Sequence, residues 1–217
     1  MTYSICVRER ADDGWRFGAA TAARVPAVGG VTPHVDDHGA VAVAGVADAA
    51  LGQECLGALA EGRRLDSVLD SLATEDGSAR RQIHGVGVDA AATHTGPDCQ
   101  AHAAARVGDD YTVGGTAMAD DEVLDALERG YTTNERDTPL VRRLLTALAA
   151  GERAGGDGRD LPVGSAAVVV RGEHDPLYHD LRVDASERPI ADLRETYRQA
   201  KQGYEAALET YGQTENS

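Results

Sequence analysis

The chain reads as an α+β protein in which antiparallel sheet packs with helices, and three observations lead there. Strand-like runs gather at both ends of the sequence with helical segments between them. Apolar spacing switches from strand type to helix type near residue 49. The order of segments is not the strand–helix alternation of a doubly wound parallel sheet. With no internal repeat, one domain over residues 1–212 accounts for the pattern, followed by a frayed tail at 213–217. At 217 residues the chain is long enough to bury a core without disulfides or metals.

Thr2–Val7 (TYSICV) is rich in strand formers, Arg10–Gly14 is a polar turn and Trp15–Ala23 a returning strand. Gly29–Val31 and Ala40–Val46 are short apolar runs split by the polar loop His34–Gly39. From Ala49 to Leu72 the apolar residues fall at helical spacing, with Gly62 a candidate break. His84–Asp89 and Thr112–Gly115 return to strand. Glu122–Arg129 and Thr138–Ala150 are helical, the second with Asp137 or Thr138 as its cap and Pro139 just inside. Ser165–Arg171 (SAAVVVR) is the clearest buried strand, Tyr178–Val183 is another, and Ile190–Tyr211 is a closing helix. On that helix Ile190, Leu193, Tyr197, Tyr204, Leu208 and Tyr211 form one apolar stripe. The stripe covers the domain's own sheet or meets a second subunit, and a homo-oligomer through this helix is the expectation that follows.

Apolar residues make up 42 % of the chain but aromatics only 4 %, so Ala, Val and Leu must fill the core. The net charge is −15, and Lys201 is the single lysine among 21 basic residues. Excess carboxylate suits a protein to concentrated salt, where screening removes self-repulsion. An acidic protein from a GC-rich genome would show the same preference for Arg. The negative balance argues against nucleic acid and anionic membrane as partners. Cys6, Cys55 and Cys99 are odd in number and widely spaced, which is no disulfide framework. No apolar run approaches the ~20 residues of a membrane span, and the first residues lack the pattern of a signal peptide. A cytoplasmic location is therefore expected.

Several constellations have the composition of chemistry. His34-Val-Asp-Asp-His38 offers two imidazoles and two carboxylates, as a metal site or a metal-dependent hydrolase would need, yet it falls in a polar loop of a very acidic chain. Cys99 and His102, with His94 nearby, are half of a zinc site or a nucleophile pair, but no second pair at ligand spacing completes them. The glycines at 85, 87, 155, 156 and 158 fit neither a dinucleotide fingerprint nor a P-loop. Thr2 differs from all of these. Its side chain is small enough for Met1 to be removed, which would place a free α-amine beside a hydroxyl on one residue. Such an amine has a pKa near 7.7–8.0 and can serve as general base for its own hydroxyl.

Successive blocks of the chain resemble one family in collinear order. They are Thr2–Arg8 (TYSICVR), Ala27-Val28-Gly29 leading to Pro33, Ala50-Leu51-Gly52, Gln82 through Asp89, and Thr95-Gly96 with Cys99. Glu122-Val123-Leu124, Ala154-Gly155-Gly156-Asp157, Ser165-Ala166-Ala167-Val168 and Asp180-Leu181-Arg182-Val183-Asp184 continue the match. The family is one of unknown function placed in the Ntn-hydrolase-like superfamily, and the chain looks like a divergent, haloarchaeal-type member.

The resemblance implies a four-layer αββα sandwich of two antiparallel sheets, with the N-terminal strand presenting its first residue at a cleft between them. It implies Thr2 as nucleophile, Arg24 at the place of the family's usual lysine to tune electrostatics, and Ser165 to orient the amine. Backbone N–H groups near Ala47 and Asp48 become candidate oxyanion donors, Asp48 standing where the family tends to have asparagine, and Thr116 a substrate contact. The chain departs from the family in Gly114-Gly115-Thr116, where Gln-Gly-Asn is expected, and in Gly164, where Gln is expected. The implied activity is hydrolysis of a small amide or peptide-like substrate with no cofactor and no metal. The rival expectation is a scaffold or binding protein that keeps the fold without the chemistry.

Overall fold

β1 (Tyr3–Ala11) pairs on one side with β2 (Gly14–Ala23) and on the other with β8 (Tyr111–Gly115), always antiparallel, and so runs through the middle of a sheet. β9 (Gly164–Gly172) and β10 (His179–Ser186) extend that sheet beyond β2, and β7 (Ala104–Val107) extends it beyond β8. Its order is β10-β9-β2-β1-β8-β7. A second antiparallel sheet runs β3 (His34–Val35), β4 (Gly39–Gly45), β5 (Arg81–Gly87), β6 (Ala91–Thr95). The computed structural model describes residues 2–12, 14–46, 48–172 and 179–214, with side chains as far as 211.

The two sheets lie face to face, β1 and β2 against β4, β1 and β8 against β5. Helices α1 (Ala49–Ala60) and α2 (Leu65–Leu72) cover the outer side of the four-stranded sheet. Helices α3 (Glu122–Thr132), α4 (Leu140–Arg153) and α5 (Pro189–Thr214) cover the outer side of the six-stranded one. The order of layers is thus helix, sheet, sheet, helix.

Each layer follows from local sequence. β1 alternates Tyr3, Ile5 and Val7 toward α3 and α4, where they join Leu124, Leu144 and Leu148, and turns Ser4 and Cys6 to the other sheet. Between the sheets the apolar contact is small: Cys6, Phe17, Ala19, Ala40, Ala42 and Val86. Alanine there lets the sheets approach closely, which is how a chain so poor in aromatics still fills its interior. Gly62 separates α1 from α2 in the left-handed region at φ +81, with the Arg63 N–H reaching Ala58 and the Gly62 N–H reaching Leu59. This is a glycine-closed helix end, and any Cβ there would be strained.

The expected strands and helices are present with shifted ends, and several segments differ from expectation. His34–Gly39 contains the two-residue β3 rather than loop alone, because Val35 pairs with Ala40 across the turn. Gly29–Val31, read as a short apolar run, instead lies in the 3-10 turn Val28–Gly30 and the residue that closes it. β6 and β7 were not anticipated: both are half-exposed edge or near-edge strands with few large apolar residues, so neither alternates clearly. α4 starts at Leu140 with Pro139 at its cap position, one step before the expected place, and neither Asp137 nor Thr138 caps it. α5 continues to Thr214, two residues into the expected tail, and 215–217 lie outside the described residues. Tyr178, expected in β10, also lies outside them.

Candidate functional site

Thr2 lies one step ahead of β1 and continues its pairing with β8: its carbonyl accepts from the Thr116 N–H at 2.9 Å. The alternation that sends Tyr3 to the helices turns Thr2, like Ser4 and Cys6, between the sheets. Thr2 is 5 % exposed, and its hydroxyl oxygen is buried with no hydrogen-bond partner. Thr116, fully buried, also has an unpartnered hydroxyl, and so does the side-chain oxygen of buried Gln82. One peptide joins the three. The Gly115–Thr116 unit gives its N–H to Thr2 and takes, at its carbonyl, the Gln82 Nε2–H at 3.0 Å. An unpaired buried polar group costs about 1–3 kcal/mol, so three around one peptide unit set this place apart from the apolar core.

Beside them Ser4 and His84 form a second polar set. Ser4 Oγ is 2.8 Å from His84 Nε2, and His84 Nδ1 is 2.8 Å from Thr112 Oγ1. All three residues are buried. Burial in this unfavourable setting for a cation pushes the imidazole down to about 3. The ring is therefore neutral, with one nitrogen donating to a hydroxyl and the other accepting from one. Gln82 and His84 both sit on the inner side of β5, alternating with Ile83, which packs under α1 and α2. The interior between the sheets is thus divided into an apolar part around Phe17 and Val86 and a polar part around Thr2, Ser4, Gln82 and His84.

The expected auxiliary residues make their hydrogen bonds outside this set. Arg24 directly follows β2, and its backbone N–H donates to Asp157 Oδ2 at 2.8 Å. It lines a small cavity with Tyr3, Glu152 and Asp157. Burial raises the Tyr3 hydroxyl well above its ordinary range, Glu152 and Asp157 raise it further, and the Arg24 charge opposes them. The turn that carries Asp157 needs glycines, since Gly155 and Gly156 have φ of +108 and +58. Ser165, fully buried, donates to Val25 O and accepts from the Val28 N–H at 2.9 Å. Its hydroxyl therefore fastens the turn after β2. Asp48 is an exposed N-cap of α1, accepting from the Ala50 N–H at 2.9 Å. Ala47 lies outside the described residues. Of the residues expected at the site, Thr2 and Thr116 are brought together, while Arg24, Ser165 and Asp48 bond elsewhere.

The other constellations also have definite places. His34 Nε2 donates to Val31 O at 2.7 Å, and Nδ1 meets Gln53 Nε2 at 3.3 Å, so one neutral tautomer uses both nitrogens. His38 is exposed. The His102 ring is beside Asp121, and His94 is 3.2 Å from Ser78 O. Among the described residues no three His, Cys, Asp or Glu side chains group as a metal site would. No helix among the described residues is long and apolar enough to cross a membrane.

Ser4, Gln82, His84 and Thr112 were missed from sequence. A signal existed in the alternation of Thr2 with Ser4 and of Gln82 with His84, polar residues two apart inside otherwise buried strands. The partnership itself joins positions 80 and 28 residues apart, which no local pattern carries.

Two antiparallel sheets packed between helices, with a polar interior at the N-terminal strand, define an α+β protein with a candidate site between its sheets. The chain belongs to the family of unknown function DUF1028, which matches residues 2–193. It is similar to a crystal structure of a protein from Silicibacter pomeroyi described by the same family. The two share 29 % identity with a TM-score of 0.81, over 92 % of this chain and 85 % of that one. No curated protein matches the chain.

Proposed function

We propose that the chain is an N-terminal-nucleophile amidohydrolase of the Ntn type, acting on a small amide or peptide-like substrate. The observation that carries this reading is the buried, unpartnered hydroxyl of Thr2, turned between the sheets beside the unpartnered oxygens of Thr116 and Gln82. The helix–sheet–sheet–helix layering and the family match that begins at Thr2 support it. With Met1 removed, the α-amine of Thr2 takes the proton from Thr2 Oγ1 as that oxygen attacks the substrate carbonyl. The tetrahedral intermediate collapses with protonation of the leaving amine by the ammonium, and water releases the acyl group by the same route. Thr116 and Gln82 contact the substrate's polar groups, while Ser165 and Arg24 hold the turn after β2 in place.

A non-catalytic scaffold is the second reading. It is favoured by the placement of Arg24 against Tyr3 and Asp157 and of Ser165 against Val25 and Val28. The test is hydrolysis of a panel of small amides and dipeptides by protein whose intact mass shows Met1 gone. Turnover lost in Thr2→Ala and kept in Ser4→Ala supports the proposal. Processed protein with no turnover on any amide, or turnover unchanged in Thr2→Ala, counts against it.

A further inference from the structure

α5 is longer than the domain it serves. Over its first half Ile190, Leu193 and Tyr197 enter the core. From Lys201 to Tyr211 every residue is exposed except Tyr204, which is half-buried. The stretch from Lys201 to the helix end at Thr214 measures about 20 Å at 1.5 Å per residue. The apolar stripe does not stop where the core does. At 100° per residue, Tyr204 and Leu208 continue the line of Ile190 and Tyr197, and Leu208 is 53 % exposed. A helical stretch of this length that leaves an apolar residue such as Leu208 in solvent is marginal in water, and Gly203 weakens it further.

Next to this overhang lies a cavity of 570 Å³ between α4 and α5. Its floor is Leu145 and Tyr197, both buried, and its rim carries Arg142, Arg194, Arg198 and Lys201 together with Glu205. Four cations at one groove stand out in a chain of net charge −15. Arg198 pairs with Glu195 and Lys201 with Glu205, whereas Arg142 and Arg194 make no ion pair among the described residues. Beyond the residues that line the groove the overhang is its complement: residues 206–214 carry Glu209 and no basic residue.

We infer that the α4–α5 groove receives the α5 overhang of a second copy of this chain. Two α5 helices then lie antiparallel about a two-fold axis, each seating Leu208 over the partner's Leu145 and Tyr197 floor and Glu209 against the cationic rim. Such a contact is self-complementary, as a two-fold dimer requires.

The test uses the full chain in sedimentation velocity at about 0.2 M KCl, where charges are less screened than in molar salt. A dimer is expected, and Leu208→Asp, a change at an exposed position, is expected to leave the circular dichroism intact and make the protein monomeric. Arg198→Glu and Glu209→Arg should each weaken self-association about tenfold or more. Mixed, these two variants should form heterodimers, because every groove then meets an overhang of opposite charge. A monomer at all concentrations, a dimer unaffected by Leu208→Asp, or no preference for the mixed pair would overturn the inference. So would a monomeric chain whose groove binds citrate or phosphate.

Discussion

The imidazole of His84 occupies the space in which a side chain at Gly114 would stand. A Cβ on Gly114 would lie 2.5 Å from His84 Cδ2 and 2.9 Å from Nε2. The absence of a side chain at Gly114 leaves room for a ring from the facing sheet. The two residues are expected to be coupled. Gly114→Ala should destabilise by about 1–3 kcal/mol through overpacking, and less so in a His84→Ala background where the ring is gone. Denaturant unfolding of the two single variants and the double variant checks this, with a coupling of about 1 kcal/mol expected.

His84 also makes stability depend on pH. Its folded pKa, about 3, lies below the ordinary histidine value, so between pH 3 and about 6.5 the unfolded chain binds a proton that the folded chain does not. The contribution is therefore fully present above about pH 6.5 and is lost as pH falls, by up to about 1.4 kcal/mol per unit. His84→Gln should flatten that part of the profile. Unfolding free energies at pH 7, 6 and 5 for both proteins are compared.

The charge of −15 predicts a response to salt. Thermal midpoints should rise between about 0.1 and 2 M KCl as repulsion among carboxylates is screened. A gain of about 1–2 kcal/mol corresponds to roughly 2–8 °C at this chain length. A midpoint that stays flat or falls would assign the acidity another cause.

Much of the fold was legible because its strands bury both faces and its helices carry clean stripes. TYSICV and SAAVVVR read as strands, and the leucines of 49–72 as helices broken at Gly62. β6 and β7 were not legible, since edge strands with half-exposed Ala, Thr and His lose the alternation that buried strands show. At the candidate site, Thr2 was singled out by its chemistry, an amine and a hydroxyl on one residue once Met1 is removed, together with the family resemblance. Thr116 was implied by that resemblance too, whereas Gln82 and His84 were not legible, because they join the site through pairing between strands and between sheets. Arg24 and Ser165 show the converse, residues matched by position whose bonds in the fold serve the turn after β2.

The most direct measurement of the central claim is covalent labelling of the processed protein by an electrophile selective for N-terminal threonine, such as a β-lactone or an epoxyketone. Thr2 alone joins a hydroxyl to a basic amine, so mass mapping should place the adduct on Thr2 and on no other threonine or serine. Thr2→Ala should remove the adduct while leaving the unfolding midpoint nearly unchanged, and Ser4→Ala should retain it. Adduct formation at Cys99 or Ser4 with Thr2 unmodified, in protein whose mass shows Met1 removed, would contradict the account.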